Sequence, residues 1–197
     1  MSARERRLAE VRSDAAECRA CPLWRGATQT VFGEGPADAA VVLVGEQPGD
    51  HEDRDGQPFV GPAGRVLDEA LETAGLSRNE LFLTNGVKHF KYRMRGKRRI
   101  HQRPAAGEIA ACRPWLVKEL EIVSPELVVA LGASAAHSLM GKATPVGANR
   151  GRQPDSPLID VPVLITAHPS SVLRERDRTA RRAALAALAD DLSLAVR

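Results

Sequence analysis

Cysteine is scarce in this chain. There are three, Cys18, Cys21 and Cys112, an odd number that cannot pair off into a disulfide framework. No apolar run reaches the length needed to cross a bilayer. The opening stretch MSARERRLAEVRSDAAECRACPLW lacks the apolar centre that a secretory signal needs. A cytoplasmic protein with no use for a membrane is expected. The Gly-rich dinucleotide fingerprint and the Walker lysine are missing too, which argues against a nucleotide-phosphate cradle. Repeats, low-complexity tracts and linkers are also absent. A length of 197 residues, 43% hydrophobic and 27% charged, then suits one domain spanning 1–197.

Acidic residues are missing from one place in particular. Between Lys88 and Arg103 the chain holds eight of its 28 Lys and Arg and none of its 25 Asp and Glu. The other 20 cations face all 25 acids, so the remainder is net −5 within a chain that is +3 overall. Positive charge is gathered into a patch, and a patch points to a polyanion at one site. A solvated surface loop is the plain alternative. The run contains GKRRIH, Gly96–His101. Gripping phosphate alone has no need of an imidazole at its end.

Short apolar, β-branched runs in DAAVVLVGE, ELFLTN, PELVVALG and PVLITAH predict four buried strands. Helical spacing in ARERRLAEVRSDAAECRA puts Leu8, Val11 and Ala15 on one face. GPAGRVLDEALETAGL predicts a helix with Pro62 in its first turn, a stripe of Val66, Leu67, Ala70 and Leu71, and Gly75 at its end. Pro104 opens a helix through AAGEIAACRPWLVKELEIV, where Pro114 predicts a kink or break. ASAAHSLMG reads as a short helix and RTARRAALAALADDLSLAV as a final one. KATPVGANRGRQPDSPLIDVP reads as loop with room for a short hairpin, and the basic segment is too polar for core. Strands alternating with helices predict an α/β fold, a three-layer α/β/α domain around a central four-stranded parallel sheet. Such folds place their site at the carboxyl ends of the strands. Those ends read GEQPGD, TNGVKH, LGAS and AHPSS.

The first of these ends is a tight turn of Gly45, Pro48 and Gly49 that presents Glu46, Gln47, Asp50 and Asp53. It is too acidic for phosphate but suited to a water or a base edge; a solvated loop is the alternative. Phe59 lies in the same loop, placed either to stack on a flipped base or to pack. The Asn85 amide matches the O4 and N3–H of uracil, with turn chemistry as the alternative. His168 in HPSSVLR can hydrogen-bond charge on a leaving group, or serve as a structural histidine. Ser170 and Ser171 beside it can hold a phosphate. Cys18 and Cys21 form a C-x-x-C pair, to which Cys112 adds a third thiol. His89, 23 positions before Cys112, is the natural fourth ligand. Zinc accepts three thiolates and one imidazole; a 4Fe-4S cluster usually takes four thiolates, with histidine a known substitute. Spacing does not choose between these and three unrelated thiols.

Taken in order, GEQPG, PFVGPAG, LTNGVK, AACRPWL and HPSSVLR resemble the motifs of the uracil-DNA glycosylase superfamily, in particular its iron–sulfur branch. The likeness runs from about Cys18 to the final helix. Two departures narrow it. Iron–sulfur members usually carry cysteine where VKHF has His89, and they lack an insertion ending KRRIH. Both features are similar to the UdgX group. The resemblance implies a 4Fe-4S cluster on Cys18, Cys21, His89 and Cys112, with zinc as the alternative. It implies uracil-containing DNA as the partner, single-stranded DNA being favoured, and free uracil as a product. Phe59, Asn85, Gln47 and His168 would hold the uracil. Lys97, Arg98, Arg99, Ser170, Ser171 and Arg174 would meet the DNA backbone. His101 would become joined to C1′ of the sugar, with Glu46, Asp50 or Asp53 orienting it or taking its proton. The cations Lys97, Arg98 and Arg99 favour a neutral imidazole at His101. A monomer that reacts once is expected. A glycosylase that turns over repeatedly and a non-catalytic, metal-stabilised nucleic-acid-binding module are the alternatives.

Overall fold

The computed structural model describes residues 1–196. Helix α1 (Ala3–Ala16) begins at a capping box in which Ser2 Oγ accepts from the Glu5 N–H at 3.1 Å. It buries Leu8 and Ala15. Strand β1 (Val41–Gly45), helices α2 (Asp50–Asp55) and α3 (Pro62–Ala74) and strand β2 (Leu81–Asn85) follow. Next come strands β3 (Tyr92–Arg95) and β4 (Arg98–His101), helix α4 (Ala106–Val123), strand β5 (Leu127–Leu131) and helices α5 (Ala133–Met140) and α6 (Val146–Asn149). Strand β6 (Val163–Thr166) and helices α7 (Ser170–Arg174) and α8 (Arg178–Ser193) complete the order.

Four strands form one parallel sheet in the order β2-β1-β5-β6. Neighbouring side chains on a strand point to opposite faces, and both faces are covered. Val42, Val44, Val128, Ala130 and Ile165 pack with residues of α1, α4 and α5, among them Leu8, Leu116 and Leu139. Leu43, Leu83, Val129, Leu131 and Leu164 pack with α3 and α8 through Leu67, Leu71, Leu188 and Leu192. Each such side chain contributes about 1.5–3 kcal/mol on burial, so apolar strands of this kind demand helices on both sides. The three layers are those expected.

Connectivity decides where the cleft opens. The chain runs from β1 through α3 to β2 on one side, then returns past β1 to β5 on the other. This reversal puts the topological switch point between β1 and β5, where side chains beyond the strand ends can surround a ligand.

Three elements differ from expectation. Helix α4 is continuous through Pro114. Pro114 removes one N–H donor without breaking the helix, and Ile109, Cys112, Leu116 and Leu120 are buried on either side of it. The stretch after α5 holds the single turn α6 instead of a hairpin. The hairpin is instead formed by the basic run, with β3 and β4 paired antiparallel from Tyr92↔His101 to Arg95↔Arg98. Its two-residue turn needs a left-handed residue, and Gly96 supplies one at φ +60. Among the described residues no helix is long and apolar enough to cross a membrane.

Candidate active site

The carboxyl ends of the strands open on a cleft of about 880 Å³, lined by Glu46, Phe59, Asn85, His101, Gly132 and His168 among others. Gly45 ends β1 without a side chain, and a Cβ there would lie 2.6 Å from the Phe59 ring. Its absence lets that ring lie against the strand. Phe59 itself has φ +56, a left-handed conformation rare for a bulky residue. Arg78 secures it, donating from Nη2 to the Pro58 and Phe59 carbonyls at 3.1 and 3.2 Å. Asn85 is buried at the end of β2. Its carbonyl accepts from Lys88 Nζ at 2.7 Å, whereas its amide lines the cleft and has no hydrogen-bond partner among the described residues.

His168 follows β6 with its ring centroid 6.4 Å from that of Phe59. The Ser170 N–H donates to its Nδ1 at 3.1 Å. A backbone N–H can only donate, so Nδ1 is the acceptor and the neutral ring carries its proton on Nε2. Burial pushes the His168 pKa down to about 4, against the pull of the Glu46 carboxylate. The imidazole is therefore an uncharged N–H donor at neutral pH. Gly132 permits this position, since a Cβ there would stand 2.9 Å from that of His168.

Glu46 spans the switch point. Its Oε1 lies 3.2 Å from His101 Nε2, and Oε2 accepts from Ser134 Oγ at the start of α5. Burial favours the neutral acid, but hydrogen bonds from His101 and Ser134 outweigh it and hold the Glu46 pKa below the ordinary carboxylate value. Glu46 is thus an ionised acceptor facing His101, whose side chain is 50% exposed at the end of β4.

A family model of the uracil DNA glycosylase superfamily matches residues 32–193. The chain belongs to the uracil-DNA glycosylase superfamily. It is 38% identical over 186 residues to a Type-4 uracil-DNA glycosylase of Thermotoga maritima, covering 94% of this chain and 93% of the relative. A Type-4 uracil-DNA glycosylase of Pyrobaculum aerophilum is 37% identical over 164 residues, 80% of each chain. A Type-5 uracil-DNA glycosylase of the same organism is 32% identical over 144 residues, 66% of this chain and 60% of the relative.

In this superfamily member the three cysteines lie outside the lining of the cleft. Cys112 on α4 is buried, and its Sγ accepts from the Lys88 N–H at 3.2 Å. Cys18 Sγ accepts from Trp115 Nε1–H at 3.1 Å, and Cys21 and Trp115 pack beside Cys112. Burial pushes the Cys112 thiol up to about 11, with Cys21 and Cys18 adding to the shift against Lys88. His89 is kept neutral by burial. It shares a cavity of about 130 Å³ with Cys18, and its Nε2 lies 2.9 Å from Thr30 Oγ1. Among the described residues no three His, Cys, Asp or Glu side chains converge into ready coordination. The donor set nonetheless suits an iron–sulfur centre. It offers clustered thiols that need a cation to ionise, a neutral imidazole, and N–H donors on two of the sulfurs.

Several residues expected on uracil or DNA are engaged by other protein groups, some of them while lining the cleft. Arg99, expected on phosphate, is only 12% exposed. It donates from Nε to Asp50 and from Nη1 to Asp53, the latter at 2.6 Å, and lies over the rings of Phe90 and Tyr92. Asp53, expected near His101, is fully buried and also accepts from the Thr28 N–H at 3.0 Å and Thr28 Oγ1 at 2.6 Å. Asp50 lines the cleft but pairs with Arg99 and Arg54. Gln47, expected on uracil, lines the cleft and donates from Nε2 to the carbonyls of Lys91 and Gln102, each at 3.1 Å, so clasping both feet of the hairpin. Phe59, expected either to stack on a base or to pack, is largely buried and lines the cleft. Ser170 and Ser171 line the cleft but hydrogen-bond back to His168, and Arg174 reaches Ser170 Oγ at 3.1 Å. Lys97 and Arg98 stand exposed at the hairpin tip. Lys88, counted in the basic run, is buried against Glu119 at 2.6 Å, beneath Asn85. Sequence reasoning passed over Ser134 and Arg78. Ser134 was discoverable from its place in LGAS at a strand end. Arg78 carries no local signal.

Proposed function

We propose that this protein excises uracil from DNA and is then joined through His101 to C1′ of the vacated sugar, once per molecule. The observation that carries the reading is the His101–Glu46 pair, 3.2 Å apart at the rim of a cleft that also holds Phe59, Asn85 and His168. The target bond is inaccessible in stacked DNA, so the nucleotide must be flipped out. Phe59 then stacks on the base, and Asn85 reads O4 and N3–H. As the C1′–N1 bond breaks, its electron pair leaves with uracil, and His168 Nε2–H donates to O2 where the charge gathers. The sugar left behind is electron-poor at C1′. The lone pair on the unprotonated nitrogen of His101 forms the new N–C1′ bond. The proton on the other nitrogen passes to the Glu46 carboxylate, and uracil takes its proton from solvent. A prepositioned nucleophile has an effective concentration of about 10⁵ M or more, enough to exclude water as competitor.

Cys18, Cys21, His89 and Cys112 would hold a 4Fe-4S cluster, tying the segment after α1 to the loop that leads into the hairpin. The role is structural. A brown protein with broad visible absorbance is expected, and a colourless protein containing zinc would replace that assignment. The setting is DNA repair by a cytoplasmic monomer.

A denaturing gel tests the central claim. The protein is incubated with single-stranded DNA containing uracil. A DNA-shifted protein band is expected, and His101→Ala should remove it while uracil release persists. The names of the relatives, Type-4 uracil-DNA glycosylases, favour a second reading in which the enzyme turns over repeatedly. Abasic DNA in excess of enzyme, with no shifted band, would establish that reading instead.

A further inference from the structure

The basic run divides into two groups of four. Lys88 pairs with Glu119, Lys91 with Glu108 at 2.8 Å, and Arg99 with Asp50 and Asp53. Arg103 reaches Ser134 Oγ at 3.1 Å. These four are held by the protein. Arg93, Arg95, Lys97 and Arg98 are exposed and have neither an ion pair nor a side-chain hydrogen bond among the described residues.

Register explains the division. Residues directly opposite on paired strands share a face, and successive residues alternate. Tyr92, Met94, Arg99 and His101 therefore share one face of the hairpin, and Arg93, Arg95, Arg98 and Ile100 share the other. Arg99 and His101 touch α2 and Glu46, so their face is turned towards the body. The second face is turned outward. Arg95 and Arg98 are directly opposed on it. Like charges so placed destabilise a free hairpin, and no acid within the run relieves them. A polyanion would. Arg93 and Arg95 stand about 7 Å apart along the strand, comparable to successive phosphates of an extended nucleic-acid strand.

We propose that the outward face of the hairpin, through Arg93, Arg95 and Arg98, is a second DNA-binding surface. It holds the phosphates of the single strand beyond the uracil nucleotide, while the inward face serves the cleft. The inference rests on uracil-containing DNA being the substrate, and charge complementarity selects the occupant. Its consequence is division of labour: the outward face sets affinity for long strands and leaves the chemistry alone.

The test is the double substitution Arg93→Gln/Arg95→Gln in the full chain. Binding to a long uracil-free single strand is measured by fluorescence anisotropy over a range of salt concentrations. Each lost phosphate contact lowers the slope of log K against log salt by about 0.7, so the variant slope should be shallower by about 1.4. Affinity near physiological salt should fall roughly tenfold. Uracil release from an oligonucleotide ending a few nucleotides either side of the uracil should be unchanged. An unaltered slope overturns the proposal. So does a change seen on RNA of the same sequence but not on DNA. If neither protein releases uracil, the glycosylase reading fails on its own, while the slope still reports on the face.

Discussion

Two histidines flank one carboxylate in the cleft, and they differ in almost every physical respect. His168 sits on the first residues after a buried parallel strand. Its Nδ1 is fixed by the Ser170 N–H at 3.1 Å, and burial holds its pKa near 4. His101 stands at the end of a polar hairpin, half exposed, with Glu46 as its orienting partner. The first is a rigid donor whose tautomer is dictated by backbone. The second, in the reaction proposed above, is the nucleophile, carried on an arm. Rigidity suits a group that must meet charge at one place as it develops, and an arm suits a group that must wait for a sugar to arrive.

The comparison breaks most severely at the rigid end. His168→Ala removes the only donor assigned to uracil O2, and single-turnover uracil release should slow by about 10²–10³-fold. The fraction of released uracil that ends as adduct should stay the same, read from the ratio of free uracil to shifted band. A fall in that fraction would mean that His168 also places the sugar.

The arm is tested at its anchor. Arg99→Ala leaves the buried Asp53 carboxylate with only its Thr28 donors. Stability should drop by roughly 3 kcal/mol in denaturant unfolding, and adduct formation should slow about tenfold with uracil release nearly intact. Arg99→Lys should not restore it, because a single ammonium cannot reproduce the fork that bridges Asp50 and Asp53.

A smaller effect sharpens the electrostatic half of the contrast. The pKa of His168 is about 4 in the fold against the ordinary 6.5, so between those values the unfolded chain binds more protons. Its contribution to stability is therefore complete above pH 6.5 and is lost as pH falls towards 4. Denaturant curves at pH 7 and pH 5 should show a decline in the wild type that is shallower in His168→Ala. An NMR titration should find the His168 ring still neutral at pH 5.

Much of this was legible before any coordinates. The four strands announced themselves because each is buried on both faces and so is apolar throughout, and α3 carried its own punctuation in Pro62 and Gly75. The strand ends then exposed Glu46, Asn85 and His168 as candidates. The hairpin was illegible for the opposite reason. Its strands are held by pairing to each other and by Gln47 and Arg99, not by an apolar face, so no hydrophobic period marks them. Charge likewise misled. Lys88 counts in the basic run and Arg99 reads as a DNA contact, yet both lie against carboxylates far away in sequence, Glu119 for the first and Asp50 and Asp53 for the second.

Local chemistry, then, determined the layers, the strand ends and the residue types available there, because apolar periodicity and turn signals act over a few neighbours. Tertiary structure decided which of those residues share a cleft. It set Glu46 between His101, Ser134 and His168, protonated His168 at Nε2, and divided one basic run into an inward and an outward face. These are contacts between segments tens of residues apart, set by strand order and register, and they appear only once the chain has folded.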